Sequence, residues 1–152
     1  MDYKEAHFKF ETKEERIQYW KNARIEYRQW RKTEKASRLI NKKTKKQQGL
    51  CFWCMLPLGQ SVHIDHIYPL YLGGSNGAIN MCVTHPKCNM DKGAKVMTSF
   101  KQAGHRRRQF KAIRKAKRAK ELMAKNPKMK LSKKNAQAIK LSAKIQPIYT
   151  NR

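Results

Sequence analysis

Four residues with metal-ligand chemistry fall into two tight pairs, Cys51-x-x-Cys54 and His85-Pro86-Lys87-Cys88. Together they offer three thiolates and one imidazole, a closed N/S set of the kind that holds structural zinc. Such a set leaves no position open for substrate, so its expected role is stability. Cys82 is the remaining cysteine. It lies too far before Cys88 for a tight knuckle and is expected in the core, as the substitute ligand if His85 does not bind.

Between the two pairs, Val62-His63-Ile64-Asp65-His66-Ile67 alternates apolar and polar residues as a half-buried strand does. Period two puts His63 and Asp65 on one face. His66 points to the other face unless the strand ends or bends, and Pro69 is close enough to end it. Asp65 is the only acid between Glu34 and Asp91. Two readings of this pattern stand. In one, an acid between two histidines does proton or metal chemistry, since an imidazole with a pKa near ~6.5 can deprotonate water near neutral pH. In the other, Asp65 pairs with a neighbouring lysine and His66 is a satisfied core histidine.

The order and spacing of these residues resemble the HNH endonuclease family. The resemblance rests on a Cys-x-x-Cys knuckle, His63-Ile64-Asp65-His66-Ile67-Tyr68-Pro69-Leu70, Gly73-Gly74, Asn80, and a second knuckle ending Cys88-Asn89 before Lys92-Gly93. It covers residues 49–95, about a third of the chain. It implies an α+β fold: a zinc-stapled ββα-metal (HNH) core, here flanked by basic α-helices. It also implies a role for each matching position. His66 matches the general base, Asp65 and Asn89 the ligands of a catalytic Mg²⁺ or Mn²⁺, and Asn80 the residue that orients the loop and the base. His63 stands where a direct or indirect metal ligand is common. The activity implied is hydrolysis of DNA phosphodiester bonds, by nicking or double-strand cutting. Compact freestanding members of the family are common among bacteriophage and homing-type enzymes. The second knuckle begins with His85 where many members have cysteine, and the flanks match no recognition module.

The chain must position this segment with little apolar material. Its 152 residues suggest one domain, and the central segment is too small to bury a large core without a staple. Formal net charge is +26, from 36 Lys and Arg against 10 Asp and Glu, which points to a polyanionic partner. No stretch is long and apolar enough for a bilayer, so a membrane is not the expected anion. The N-terminus lacks a signal-peptide layout, and the expected location is cytoplasmic, that of a host cell for a phage protein. In a reducing compartment the clustered cysteines read as metal ligands rather than disulfides.

Three regions follow: a basic helical 1–48, the core 49–95 and a strongly basic helical 96–152. Residues 1–11 read as a loose arm. Thr12, with Glu14 and Glu15 behind it, starts a helix whose stripe Ile17, Trp20, Ala23, Tyr27 and Trp30 is expected to pack rather than to stack on bases. A second helix, broken from the first near Thr33 and stopped by Gly49, carries Ala36, Leu39 and Ile40. Thr98 or Ser99 caps a third, interrupted at Gly104 and ended by Asn126-Pro127, with Phe110, Ile113, Ala116 and Met123 as its thin stripe. Ser132 caps a last helix that ends before Pro147.

Residues 101–152 hold 18 Lys and Arg against the single acid Glu121. From this region Arg106, Arg107, Arg108, Lys111, Arg114 and Lys115 are candidate nucleic-acid contacts, together with Lys42 and Lys43 ahead of the first knuckle. Lys92 is placed either near the scissile phosphate or on a solvent-facing helix surface. Double-stranded DNA is the expected partner by family precedent, and oligomeric state is left open. The rival reading is a zinc-stapled nucleic-acid-binding protein without catalysis, RNA-binding or architectural, which the charge alone fits equally well.

Overall fold

The computed structural model describes residues 9–97 and 100–145. The Thr98 or Ser99 cap, Pro147 and most of the N-terminal arm lie outside the described residues. Seven elements carry the fold. Helices α1 (Lys13–Trp30) and α2 (Glu34–Lys46) precede strands β1 (His63–His66) and β2 (Met81–Thr84), which are followed by helices α3 (Pro86–Lys92), α4 (Phe100–Lys125) and α5 (Lys133–Ser142). The protein is therefore mixed α and β, with one small antiparallel sheet among the described residues. No helix among them is long and apolar enough to cross a membrane.

Local chemistry accounts for the element ends. Thr12 and Glu15 form a reciprocal capping box at the start of α1, with Thr12 Oγ1 accepting from the Glu15 amide at 3.1 Å. Ser132 Oγ accepts from the Asn135 amide to start α5. Pro86 opens α3, where a missing N–H costs nothing. Helix α2 stops two residues earlier than its glycine suggests: Gln47 caps it, and Gln48 already turns left-handed at φ 59° ahead of Gly49. Gly104 does not interrupt α4, which runs unbroken through it to Lys125. A glycine there costs only about 1 kcal/mol. Ala103 and Phe110, buried on either side of it, hold that part of the helix against the core.

The sheet pairs His63 with Thr84, Ile64 with Val83, Asp65 with Cys82 and His66 with Met81. Around it sits a small core of Cys51, Phe52, Trp53, Ile67, Cys82 and Cys88, closed on one side by Ala103 and Phe110 of α4. The free edge of β2 is satisfied by a side chain. Gln47 accepts from the Val83 amide at 2.9 Å and donates to the Val83 carbonyl at 2.8 Å, which also accepts from the Phe52 amide at 3.0 Å. That arrangement fixes α2 to the hairpin. The aromatic stripe of α1 packs, as expected. Trp20 meets Tyr71 edge-on at 5.9 Å and Tyr27 donates to the Ile64 carbonyl at 3.1 Å; Tyr19, outside the stripe, also packs, donating to the Gly74 carbonyl at 2.8 Å.

Candidate functional site

The first knuckle is a tight turn: the Cys51 amide donates to Leu56 O at 2.9 Å and the Met55 amide to Cys51 O at 3.1 Å. The second forms where β2 ends, with His85 as the cap of α3 and Cys88 in that helix's first turn. These two turns meet. The sulfurs of Cys51, Cys54 and Cys88 and a ring nitrogen of His85 all lie within 4.8 Å of one another.

His85 Nδ1 is 3.3 Å from Cys54 Sγ and 3.7 Å from Cys88 Sγ, while Nε2 donates to Pro57 O at 2.8 Å. The outward bond keeps the proton on Nε2 and leaves the Nδ1 lone pair facing the sulfurs, as a metal ligand requires. Burial, then the neighbouring Cys51 and Cys54 sulfurs, pushes the Cys88 thiol up to about 12; burial likewise raises Cys54. Crowded sulfurs of this kind ionise readily only when a cation joins them. The cluster can hold a zinc ion. Cys82 is not part of it: it is buried in the core, its thiol pointing at Asp65 O from 3.6 Å.

Beside the cluster, β1 lies against α3. His63 and Asp65 share the face that meets this helix, as period two requires. Asn89 Nδ2 donates to His63 Nδ1 at 3.2 Å, and Lys92 Nζ donates to Asp65 Oδ1 at 3.1 Å. The Trp53 indole donates to Asp65 Oδ2 at 2.7 Å. Asp65 and Lys92 are 5% and 2% exposed. Burial pushes the Asp65 carboxyl above its usual range, against the pull of Lys92 and of the indole. Lys92 is therefore corrected from both its expected places: it is neither solvent-facing nor open to a phosphate, but the buried counter-ion of Asp65.

The Mg²⁺ or Mn²⁺ expected on Asp65, Asn89 and His63 does not fit this arrangement. Both oxygens of Asp65 already hold donors, one of them a full positive charge, and Asn89 and His63 bond to each other. A dication brought to the same carboxylate would meet the Lys92 ammonium at close range.

His66 has different neighbours. Its Nε2 is 3.0 Å from Asn76 Oδ1, and its ring meets that of Tyr27 edge-on at 4.8 Å. The Asn76 amide nitrogen donates to Ala23 O at 2.9 Å and faces Glu26, so its oxygen is the atom turned to the imidazole. That assigns the proton to Nε2 and the lone pair to Nδ1. Burial lowers the His66 pKa from 6.5 to about 4; the Asn76 bond raises it and the Lys92 charge lowers it further. Its ring is uncharged at neutral pH.

Asn80 is fully buried and ties the loop between the strands into one piece. Its Oδ1 accepts from the Tyr68 amide at 2.8 Å, and its Nδ2 donates to Tyr68 O and Ser75 O, each at 2.9 Å. Gly74 lies against it, where an added Cβ would stand 2.0 Å from Tyr68 O and 2.9 Å from Asn80 Nδ2. Asn80→Ala removes three hydrogen bonds to part-buried backbone groups of the loop and should cost about 2 kcal/mol. Denaturant unfolding measures this loss, and a midpoint equal to wild type would contradict the role.

The basic candidates divide. Lys42, Arg108, Lys111, Arg114 and Lys115 are exposed, whereas Arg106 is buried at 2% and belongs to the interior face of α4. Lys43 donates to Ala78 O and Met81 O, and Arg107 to Ile79 O, so these two brace the loop ahead of β2. Sequence reading missed Trp53, Asn76 and Gln47. Trp53 reads as knuckle filler and Asn76 as an ordinary turn residue between glycines. Their bonds to Asp65 and His66 depend on contacts across the fold that no local pattern displays.

Helices, a small strand pair and a Cys₃His cluster make this a mixed α and β protein with a candidate zinc centre. The chain matches no family model and no curated protein.

Proposed function

We propose that this chain is an endonuclease of the HNH type, hydrolysing phosphodiester bonds in DNA with His66 as the general base. The observation that carries the reading is how the His66 ring is held. It sits at the end of β1, edge-on to the Tyr27 ring at 4.8 Å and with Nε2 3.0 Å from Asn76 Oδ1. Asn76 holds it as the Nε2–H tautomer. Nδ1 then carries the lone pair that takes a proton from an attacking water. Asn80 supports this by fixing the loop that bears Asn76, and the exposed cations of α2 and α4 supply contacts to the phosphate backbone. No step is assigned to Mg²⁺ or Mn²⁺, because Lys92 already supplies the cation at Asp65.

His66→Ala should lower the cleavage rate roughly 10²–10⁴-fold while DNA binding stays close to wild type. A variant that cuts at the wild-type rate sinks the assignment.

A second reading, a zinc-stapled nucleic-acid-binding protein without catalysis, is favoured by the Asp65–Lys92 pair, whose side chains are 6% and 2% exposed. In that reading Asp65 is a structural anchor between β1 and α3, and His66 a satisfied core histidine. It predicts binding with no strand breakage under any metal condition.

A further inference from the structure

A cavity of about 480 Å³ opens between α2 and α4, and its walls include none of His63, Asp65, His66 or Asn89. Its cationic lining comes from both helices: Lys42, Lys43 and Lys46 on one side, Arg107, Lys111 and Arg114 on the other. No lining residue is acidic. Lys42, Lys46, Lys111 and Arg114 are exposed and have no acidic partner among the described residues. The floor is apolar, built on Phe52, Phe110 and Ile79, with the two phenylalanine rings 6.0 Å apart.

We propose that this cleft binds an unstacked nucleotide of a single-stranded nucleic-acid segment, the base against the apolar floor and the flanking phosphates on the cationic rim. Two features favour that occupant over a duplex. A duplex presents phosphates and sugars and keeps its base faces stacked inside, so it gains nothing from an apolar floor, whereas an exposed base does. The volume also lies within the roughly 300–1,000 Å³ usual for sites that take one small molecule. The rim supplies the charge complement to a phosphate on each side of the base. Lys43 and Arg107 hold the carbonyls of Ala78, Met81 and Ile79, so the floor is braced before a ligand arrives. The site concerns binding alone and stands whichever way a cleavage assay falls.

The test is fluorescence anisotropy without added divalent cation, on labelled oligodeoxythymidine, oligouridine and a blunt DNA duplex of equal length. Four proteins are compared: wild type, the rim double Lys111→Glu/Arg114→Glu, a charge-matched double Lys120→Glu/Lys128→Glu outside the cleft, and Ile79→Asp. The rim double should weaken single-strand binding about tenfold or more beyond the charge-matched control, while the two doubles weaken duplex binding equally. Ile79→Asp should also weaken the single strand. Binding of either single strand supports the site, and the tighter of the two names the natural source. The proposal is overturned if both doubles weaken single strand and duplex by one common factor, or if poly-glutamate competes as well as an oligonucleotide of equal charge. The rim residues are exposed, so their double variant keeps its fold and decides the matter even if Ile79→Asp does not fold.

Discussion

Stripping zinc from the protein should unfold its core. The Cys51–Cys54 turn and the His85–Cys88 turn are the two ends of the segment that holds both strands, and a zinc ion held by their four donors would join them. The core they close is small, with Phe52, Trp53 and Ile67 as its largest apolar side chains and Phe110 of α4 docked upon it. Structural zinc in small modules supplies on the order of 10 kcal/mol of folding free energy, comparable with the whole stability of a domain. Chelation, or Cys88→Ser, should therefore abolish the cooperative thermal transition and red-shift the fluorescence of Trp53, which is 1% exposed in the folded chain. Part of the helical signal from α4 and α5 should remain, since these helices pack on each other. An unchanged transition after complete zinc removal would contradict the role given to the cluster.

Lys92→Ala should be the most damaging single substitution away from the zinc ligands. It leaves the Asp65 carboxylate buried without its counter-ion, held only by neutral donors, the Trp53 indole and the His66 amide. Removing one member of a buried ion pair costs about 3–5 kcal/mol, because the charge left behind has no counter-ion and no water. The double variant Asp65→Leu/Lys92→Met removes both charges and should recover most of that loss. Urea titration of the single and double variants measures both. If Lys92→Ala unfolds at the wild-type midpoint, the pair does not bind β1 to α3 as described.

Much of the frame was legible because it rests on local chemistry. Thr12 with Glu15, Ser132 and Asn126-Pro127 set helix ends through bonds or steric limits spanning four residues or fewer. The Cys₃His cluster was legible for a related reason: an x-x spacing places two donors on one turn, and two such turns in a chain have an obvious partner in each other. Alternation placed His63 and Asp65 on one face of β1 and His66 apart from them, among other neighbours.

The partners of those residues were not legible. Whether Asp65 faces a metal or an ammonium depends on how α3 is rotated, and this puts Lys92 one turn beyond Asn89 against the strand. Pairing with a lysine was one of the two readings its isolation in a basic chain allowed, and it is the one observed. Arg106 escaped for a similar reason. In a helix so rich in cations, composition does not reveal which arginine lies on the interior face.

Strand breakage is the most direct measurement of the central claim. Zinc-loaded protein is incubated with supercoiled plasmid, without added metal and then with Mg²⁺ or Mn²⁺, beside His66→Ala under the same conditions. The account predicts open circles or linear product from the wild type in at least one condition, and intact supercoils from the variant. Plasmid that is bound yet intact in every condition would contradict it and leave the non-catalytic binding protein as the reading that stands.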